Sequence, residues 1–204
     1  MSVPIAVLLH NVRSAHNVGS IFRTADAAGV SRLYLTGVTP APVDRFNRVQ
    51  KEVAKVALGA ENFVPWETSK SPTRIIERLR REGWQVVAVE QDERSEDYSR
   101  FKMRKPTLFI FGDEVRGVSK RLLEKCDVIL EIPMRGTMVR HAHHPRFTKR
   151  GKESLNVSVA AGIVLVSLRR QPLPRSENCV SVRNGVDDLP FRVEESNDVV
   201  RIAP

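Results

Sequence analysis

The chain has 204 residues, in which 33 lysines and arginines against 24 aspartates and glutamates give a formal net charge of +9. This length predicts one domain with a sizeable core. The basic balance favours nucleic acid or another polyanion as a partner, although a merely soluble basic protein has the same charge. Two cysteines exclude a disulfide framework and a four-cysteine zinc site, and they fit a reducing cytoplasm. Apolar runs are too short for a signal sequence or a membrane span, so we expect no membrane association.

Strand and helix patterns alternate along the first 170 residues. Short apolar runs predict strands at 5–9, 32–36, 85–89, 107–111 and 127–132, and 64–66 is expected to be a connection. Apolar residues three and four apart predict helices from Asn17 to the stop at Gly29, and at 43–58, 73–81, 119–125 and 154–170. Asn17 and Ser154 are the expected N-caps of the first and last helix. This alternation predicts an α/β fold, a mostly parallel sheet with helices on both faces.

The pattern ends after residue 170, where two prolines at positions 172 and 174 break the last helix. The remainder mixes serine, asparagine, acidic residues and arginine without a period. The sequence therefore predicts a domain at 1–170 and a C-terminal tail at 171–204 that is flexible or loosely docked.

A loop with two glycines follows the predicted strand at 107–111 and almost matches a phosphate-binding P-loop. The match fails because Val118 occupies the lysine position and Asp113 and Glu114 place negative charge where phosphate would lie. A nucleoside triphosphatase is therefore not expected. The loop suits backbone contact to an uncharged or cationic ligand at the carboxyl ends of the strands. An ordinary turn containing glycine is the alternative.

Donor side chains collect at the start of the first helix, where Arg13, His16 and Asn17 precede Arg23. Free N–H groups and the helix dipole favour anions at such a position, which indicates phosphate binding. A solvated surface arginine is the alternative interpretation of Arg23.

Several ordered motifs resemble the SpoU (TrmH-like) family of RNA ribose 2′-O-methyltransferases, within the SPOUT class. They are Asn11-Val-Arg-Ser-Ala-His-Asn-Val-Gly-Ser-Ile-Phe-Arg-Thr-Ala-Asp-Ala-Ala-Gly29, Phe111-Gly-Asp-Glu-Val-Arg-Gly117, Glu131-Ile-Pro-Met134 and Ser154-Leu-Asn-Val-Ser-Val-Ala160. The segments at 36–40, 57–61 and 87–91 also read like this family, and the resemblance extends over about residues 5–170.

This resemblance implies a deep C-terminal trefoil knot, S-adenosylmethionine bound in it, a homodimer, and tRNA or rRNA as the partner. It also implies transfer of a methyl group to a ribose 2′-hydroxyl. Base methylation and an RNA-binding protein with a degenerate, inactive methyltransferase fold are the alternatives. The implied reaction-site residues are Arg23, Asn17, Glu114, Ser154 and Asn156, and the implied cofactor contacts are Val89, Gly112, Ile132, Met134 and Leu155.

The chemistry of methyl transfer to a hydroxyl suggests hypotheses for the roles of these side chains. Arg23 stays protonated at ordinary pH, so we expect it to hold the RNA phosphate and to lower the pKa of the hydroxyl, and not to act as a base. Asn17 is expected to orient the substrate or Arg23. Glu114 is expected to complement positive charge at the site or to fix neighbouring loops.

The sequence departs from the family pattern between Met134 and Ser154, where 137–151 reads as an inserted basic segment. Three hypotheses compete: a loop that grips RNA, a disordered surface excursion, or an obstruction of the pocket. His141, His143 and His144 have no carboxylate or cysteine nearby to complete a site, so no metal is expected. We expect a mobile loop that faces RNA, and the expected RNA contacts are Arg13, Arg23, Arg140, Arg146, Lys149 and Arg150.

Overall fold

The computed structural model describes residues 3–134 and 154–169, which build a seven-stranded sheet with helices on both faces. The strands are β1 (Ile5–His10), β2 (Arg32–Thr36), β3 (Trp66–Ser69), β4 (Gln85–Val89), β5 (Glu96–Asp97), β6 (Thr107–Phe111) and β7 (Val128–Glu131). The helices are α1 (Ala15–Ala27), α2 (Lys51–Ala57), α3 (Pro72–Arg81), α4 (Lys120–Leu123) and α5 (Val157–Arg169), with 3₁₀ turns at Ala60–Asn62 and Tyr98–Arg100. The predicted α/β class is confirmed.

The strands lie in the order β3-β2-β1-β6-β4-β7-β5, and every neighbouring pair is parallel. The chain first builds outward from β1 through β2 to β3 and then continues on the other side of β1. Such a change of direction leaves a crevice outside the carboxyl ends of the strands, where ligands of open α/β sheets bind. The loops after β1, β4, β6 and β7 all leave from this edge, because carboxyl ends of parallel strands meet there.

Alternate strand residues point into two separate apolar layers. Ile5 and Val7 of β1 pack in the layer that also holds Phe22 of α1 and Leu165 of α5. Leu8 packs in the other layer with residues of α3 and α4. All five residues of β6 are buried, since this strand is covered on both faces. A strand with no solvent face requires a continuous apolar run, which is why the run at 107–111 predicts this strand within the correct bounds.

The prediction of a helix at 43–58 is wrong for the first half of that range, because helix α2 begins at Lys51. The Asp44 side chain accepts hydrogen bonds from the N–H groups of Phe46 and Arg48 and so stabilises a turn that competes with a helix. Asn47 has a φ of 59°, and Val43 and Val49 form an isolated antiparallel bridge. Residues 43–49 are therefore a closed loop.

The two expected N-caps are also corrected by the structure. Ser14 caps α1, since its Oγ accepts the N–H of Asn17 at 3.3 Å. Asn156 caps α5, since its Oδ1 accepts the N–H of Ser158 at 2.9 Å and its carbonyl accepts the N–H of Ala160. Serine and asparagine cap equally well, so the sequence alone does not choose between caps two or three residues apart.

Strands β3 and β5 were not predicted, and the connection expected at 64–66 overlaps β3 only at Trp66. Both are short edge strands, and most of their residues are only partly buried, so they lack the apolar run of a central strand. The expected knot, the inserted segment 137–151 and the tail at 171–204 involve residues outside the described ranges. Among the helices of residues 3–134 and 154–169, none has the length and apolarity needed to cross a membrane.

Candidate functional site

The loop between β6 and α4 closes on itself. Asp113 and Gly117 exchange two backbone hydrogen bonds of 3.2 and 2.8 Å, and a Cβ on Gly112 would collide with the Gly117 backbone. The Asp113 Oδ1 atom accepts the N–H groups of Val115 and Arg116. The hydrogen bond from Arg116 is the largest cause that lowers the pKa of Asp113, so this carboxylate is ionised. Because the Asp113 side chain and carbonyl take the N–H groups of Val115, Arg116 and Gly117, these groups are not free to bind a phosphate of a nucleoside triphosphate.

Glu90, directly after β4, holds the far side of this loop. Its Oε2 accepts the N–H of Val118 at 2.6 Å, and its Oε1 accepts the N–H of Gln91 at 3.1 Å. Gly117 has a φ of 65°, and a Cβ there would collide with the Glu90 carboxylate. Glu90 is not among the predicted site residues. Its position at the carboxyl end of a predicted strand was the available signal.

Glu114 ties the β6–α4 loop to the start of α1. Its Oε2 accepts the N–H of Arg13, and its Oε1 accepts the N–H of Ser14, each at 3.1 Å. The Asn17 Nδ2 atom also donates to Glu114 Oε1, at 3.0 Å. Burial by itself raises the pKa of Glu114, but the hydrogen bonds from Arg13, Asn17 and Ser14 outweigh it, so the pKa of Glu114 lies below its ordinary value. Glu114 is thus an ionised acceptor whose two oxygens are both in use.

Asn17 also links α1 to the start of α5, because its Oδ1 accepts a hydrogen bond of 3.1 Å from the Nδ2 of Asn156. The structure therefore brings together three of the five expected reaction-site residues, Asn17, Glu114 and Asn156. They come from α1, the β6–α4 loop and the N-cap of α5, and both partners of Asn17 lie more than 90 residues from it in sequence. We call this chain of hydrogen bonds the Glu114–Asn17–Asn156 network.

A pocket of about 240 Å³ lies beside this network at the carboxyl ends of β4, β6 and β7. Its volume is just below the roughly 300–1,000 Å³ of typical small-molecule pockets. Its lining includes all of the expected cofactor contacts together with Ser154: Val89, Gly112, Ile132, Met134, Ser154 and Leu155. The lining also includes four carboxylates, Glu90, Asp113, Glu114 and Glu131. Apolar walls with acidic groups suit a ligand that has a flat apolar ring and a positive charge.

Arg23 lies outside this network. It is exposed on α1 and lines an open groove between α1 and α5, where Val56, Tyr98 and Ile163 are among its neighbours. Within residues 3–134 and 154–169, Arg23 makes neither an ion pair nor a hydrogen bond. Ile132 lines both this groove and the pocket, so the two sites adjoin.

Arg13 is 68% exposed, and its Nε lies 3.3 Å from Asp113 Oδ2, so an acid already balances its charge. The other four expected RNA contacts, Arg140, Arg146, Lys149 and Arg150, lie outside the described residues. The described part of the chain thus places two of the expected cations, Arg13 at the loop and Arg23 at the groove.

A parallel β-sheet covered by helices, with a pocket at the carboxyl ends of three strands, defines a ligand-binding α/β protein. The chain belongs to the SpoU rRNA Methylase family, whose model matches residues 4–139. It is 34% identical over 168 residues to the 23S rRNA (guanosine-2′-O-)-methyltransferase RlmB of Ralstonia nicotianae. The aligned region covers 82% of this chain and 59% of that relative. A second RlmB, from Pseudomonas aeruginosa, is 31% identical and is covered over 61% of its length. The chain thus spans about 60% of the length of these curated relatives.

Solved structures of the same family share this fold. The A. aeolicus TrmH/SpoU tRNA modifying enzyme is 29% identical, with a TM-score of 0.66 over 82% of this chain and 74% of that one. The AdoMet-bound rRNA methyltransferase from Sinorhizobium meliloti is also 29% identical, with a TM-score of 0.67 over 83% of this chain and 57% of that one.

Proposed function

We propose that this chain transfers a methyl group from S-adenosylmethionine to a ribose 2′-hydroxyl of tRNA or rRNA. The observation that carries the proposal is the Glu114–Asn17–Asn156 network, which joins the pocket to α1 and thereby to the Arg23 groove. The relatives named as 2′-O-methyltransferases and the AdoMet-bound neighbour support the same activity.

The pocket fits the proposed cofactor. S-adenosylmethionine supplies an electrophilic methyl group on a positively charged sulfur when it is bound. Val89, Gly112, Ile132, Met134 and Leu155 would hold its adenosine, in part through backbone groups. The carboxylates of the lining would complement its positive charge, because unlike charges attract strongly in a partly enclosed site.

The remaining roles follow from the charges and contacts of the described residues. Arg23 would hold the RNA phosphate and favour the ionised form of the hydroxyl, since a nearby cation lowers the pKa of an acid. Asn17, Glu114 and Asn156 would act as positioning residues, because they are occupied with one another. Ser154, which is exposed at the pocket rim, would contact the reacting groups.

The assembly and the RNA surface extend the proposal. The groove between α1 and α5 carries the partly exposed apolar residues Ile163 and Val166, and Val159 on the same helix is 49% exposed, which supports a homodimer with active sites near its interface. We propose that the segment 137–151 and Arg13 add RNA contacts to those of Arg23. The domain would end near residue 170, the tail would follow at 171–204, and the protein would act in the cytoplasm.

Substitution of Arg23 tests the proposal. Arg23→Ala should abolish most methyl transfer to tRNA and rRNA transcripts and leave the binding of S-adenosylhomocysteine unchanged, because Arg23 lines the groove and not the pocket. Arg121→Ala is the matched control, since Arg121 is an exposed arginine on the remote helix α4. Transfer is measured with radiolabelled cofactor and binding is measured by calorimetry.

Full methyl transfer by Arg23→Ala would contradict the role of this arginine. A wild-type protein that binds RNA but gives no heat with S-adenosylhomocysteine would instead be an inactive RNA-binding protein. Nuclease digestion and mass spectrometry of the methylated RNA separate ribose from base methylation.

A further inference from the structure

The 43–49 loop, between β2 and α2, is built as a closed unit by its own side chains. The Asp44 Oδ1 atom accepts the N–H groups of Phe46 at 2.7 Å and Arg48 at 3.0 Å, and its Oδ2 accepts the Nε of Arg48 at 2.8 Å. Backbone bonds from Asp44 to Arg48 and from Asn47 to Asp44 complete the turn. The only acid of this loop is therefore used inside it, to fix the loop.

This rigid loop presents an aromatic ring with two arginines to solvent. Phe46 is 61% exposed, and the guanidinium carbons of Arg45 and Arg48 lie 4.7 and 4.9 Å from its ring centroid. Cations attracted to the ring would order this cluster before any partner binds. Aromatic rings and guanidinium planes are the groups on which proteins stack unpaired nucleic-acid bases, and the positive charge attracts the phosphates beside them.

Exposure of a phenylalanine does not by itself indicate such a site. Phe63, after the 3₁₀ turn at Ala60–Asn62, is 79% exposed, and no arginine of the described residues lies over its ring. Only Phe46 combines exposure with cations in this part of the chain. The two phenylalanines thus provide a test site and a matched control.

The position of the 43–49 loop connects it to the candidate active site. The loop follows β2, so it lies at the sheet edge where the pocket opens. The β1 and β2 loops are tied together, because Thr39 Oγ1 accepts the N–H of Val12 and Asn11 Oδ1 accepts the N–H of Val38. Helix α2 continues from the loop and packs on α1, and its Val56 lines the Arg23 groove. RNA held at Arg23 therefore has a route along α2 to Phe46.

We propose that Phe46, with Arg45 and Arg48, is a stacking site for an unpaired RNA base outside the methylated nucleotide. This inference rests on the proposed function, since it assumes that RNA is the substrate. The occupant is single-stranded RNA and not a protein surface, because the cluster carries net positive charge around an aromatic ring. Paired bases would not reach the ring, so the site selects unpaired segments.

The test compares Phe46→Ala, Phe46→Leu and Phe46→Trp with the control Phe63→Ala. The probe is a short single-stranded RNA that carries the fluorescent base 2-aminopurine, and a matching oligomer with abasic positions reports phosphate contacts alone. Because stacking on an aromatic side chain contributes about 1–3 kcal/mol per base, Phe46→Ala should weaken binding of the intact RNA roughly 5- to 150-fold. Phe46→Leu should lose as much, since it lacks a ring face, and Phe46→Trp should retain wild-type affinity.

The wild-type protein should quench 2-aminopurine, and the abasic oligomer should bind all the variants alike. An effect of Phe46→Ala no larger than that of Phe63→Ala, or an equal loss on the abasic oligomer, would overturn the stacking site. So would a change in self-association, measured by sedimentation, without a change in RNA binding. If the wild-type protein still methylates RNA in any of these cases, only this inference fails. If the wild-type protein binds no RNA at all, the proposed function fails with it.

Discussion

Removal of the Glu114 carboxylate tests whether the site depends on the network that joins the β6–α4 loop to α1. Glu114→Ala deletes three hydrogen bonds at once, those from the N–H groups of Arg13 and Ser14 and from the Asn17 amide. Glu114→Gln keeps the shape but replaces one acceptor oxygen by an NH₂ group. In its better orientation, the glutamine still accepts from Ser14 and Asn17 but places a donor against the Arg13 N–H.

The magnitude follows from these contacts. A hydrogen bond to an ionised acceptor contributes about 1.5–3 kcal/mol when it is buried. Arg13 is exposed, so its N–H can bond to water instead, and Ser14 and Asn17 are only half-buried. We therefore assign each hydrogen bond a contribution of about 1 kcal/mol to stability. We therefore expect Glu114→Ala to lose about 1–3 kcal/mol and Glu114→Gln about 1 kcal/mol. For a chain of this size, the first loss corresponds to about 2–12 °C in Tm.

Activity should fall more than stability does, because Asn17 loses its anchor. Misplacement of a group by about 1 Å can cost about 100-fold in rate, and we expect a loss of that order in methyl transfer by Glu114→Ala. Glu124→Ala removes an exposed carboxylate at the C-cap of α4 that belongs neither to the network nor to the pocket lining, and is the control. Thermal unfolding and radiolabel transfer are measured on both variants. Equal Tm and equal rates for the two variants would refute the reasoning.

The pH dependence gives an independent check with a defined sign. The pKa of Glu114 in the folded chain lies below its ordinary value of 4.5, so folding favours the ionised form. Its contribution is fully present above that ordinary value and is lost as the pH falls through the lower folded value. The stability deficit of Glu114→Gln should therefore be largest near neutral pH and should shrink in acid. A deficit that does not change between neutral and acid pH would contradict the ionised network.

Two further predictions concern the loops of the site. Gly117→Ala should destabilise the fold by about 2 kcal/mol or more and weaken the binding of S-adenosylhomocysteine in calorimetry, because it adds a collision with Glu90 to a positive φ. Gly83→Ala, with a similar φ but open space, separates the two effects, and an equal loss from both would contradict the collision. Asn156→Ser should keep the cap of α5 and the Tm but lose the contact to Asn17, so its methyl transfer should fall. A wild-type rate in Asn156→Ser would show that this contact is dispensable.

The fold was predictable where burial is complete and unpredictable where it is not. β2, β4 and β6 were predicted within their observed bounds, and β4 and β6 lie in the sheet interior, where apolar runs are a direct consequence of cover on both faces. At 43–50, the hydrogen bonds of a single Asp44 side chain outweigh the local preference for a helix. Such a local competition has no period, so a pattern of apolar residues does not reveal it.

The site was predictable as a set of residues but not as a geometry. The resemblance to the SpoU family selected the members of the Glu114–Asn17–Asn156 network and several of the residues that line the pocket, including every expected cofactor contact. It did not separate Arg23 from that network. Arg23 lies six residues after Asn17 on α1, so the two side chains point to different faces of the helix, which the family motif alone does not show. The resemblance gave no role to Glu90, although this residue lies in the family-like segment 87–91, because the sequence does not show that its carboxylate holds an N–H group of a neighbouring loop.

The contacts of the acids bear on how the hydroxyl proton would be removed in the proposed methyl transfer. Glu90 and Glu114 each use both carboxylate oxygens to hold N–H groups, Asp113 holds two N–H groups and faces Arg13, and Glu131 accepts the hydroxyl of Ser95. Such donors hold the pKa values of Asp113 and Glu114 below their ordinary values, so these two carboxylates are weak bases. The positive charges act in the opposite sense on the substrate, because Arg23 and a sulfonium cofactor would both favour an ionised ribose oxygen. In the proposed reaction, the described part of the site would position the hydroxyl and stabilise its charge, while the acids hold the loops in place.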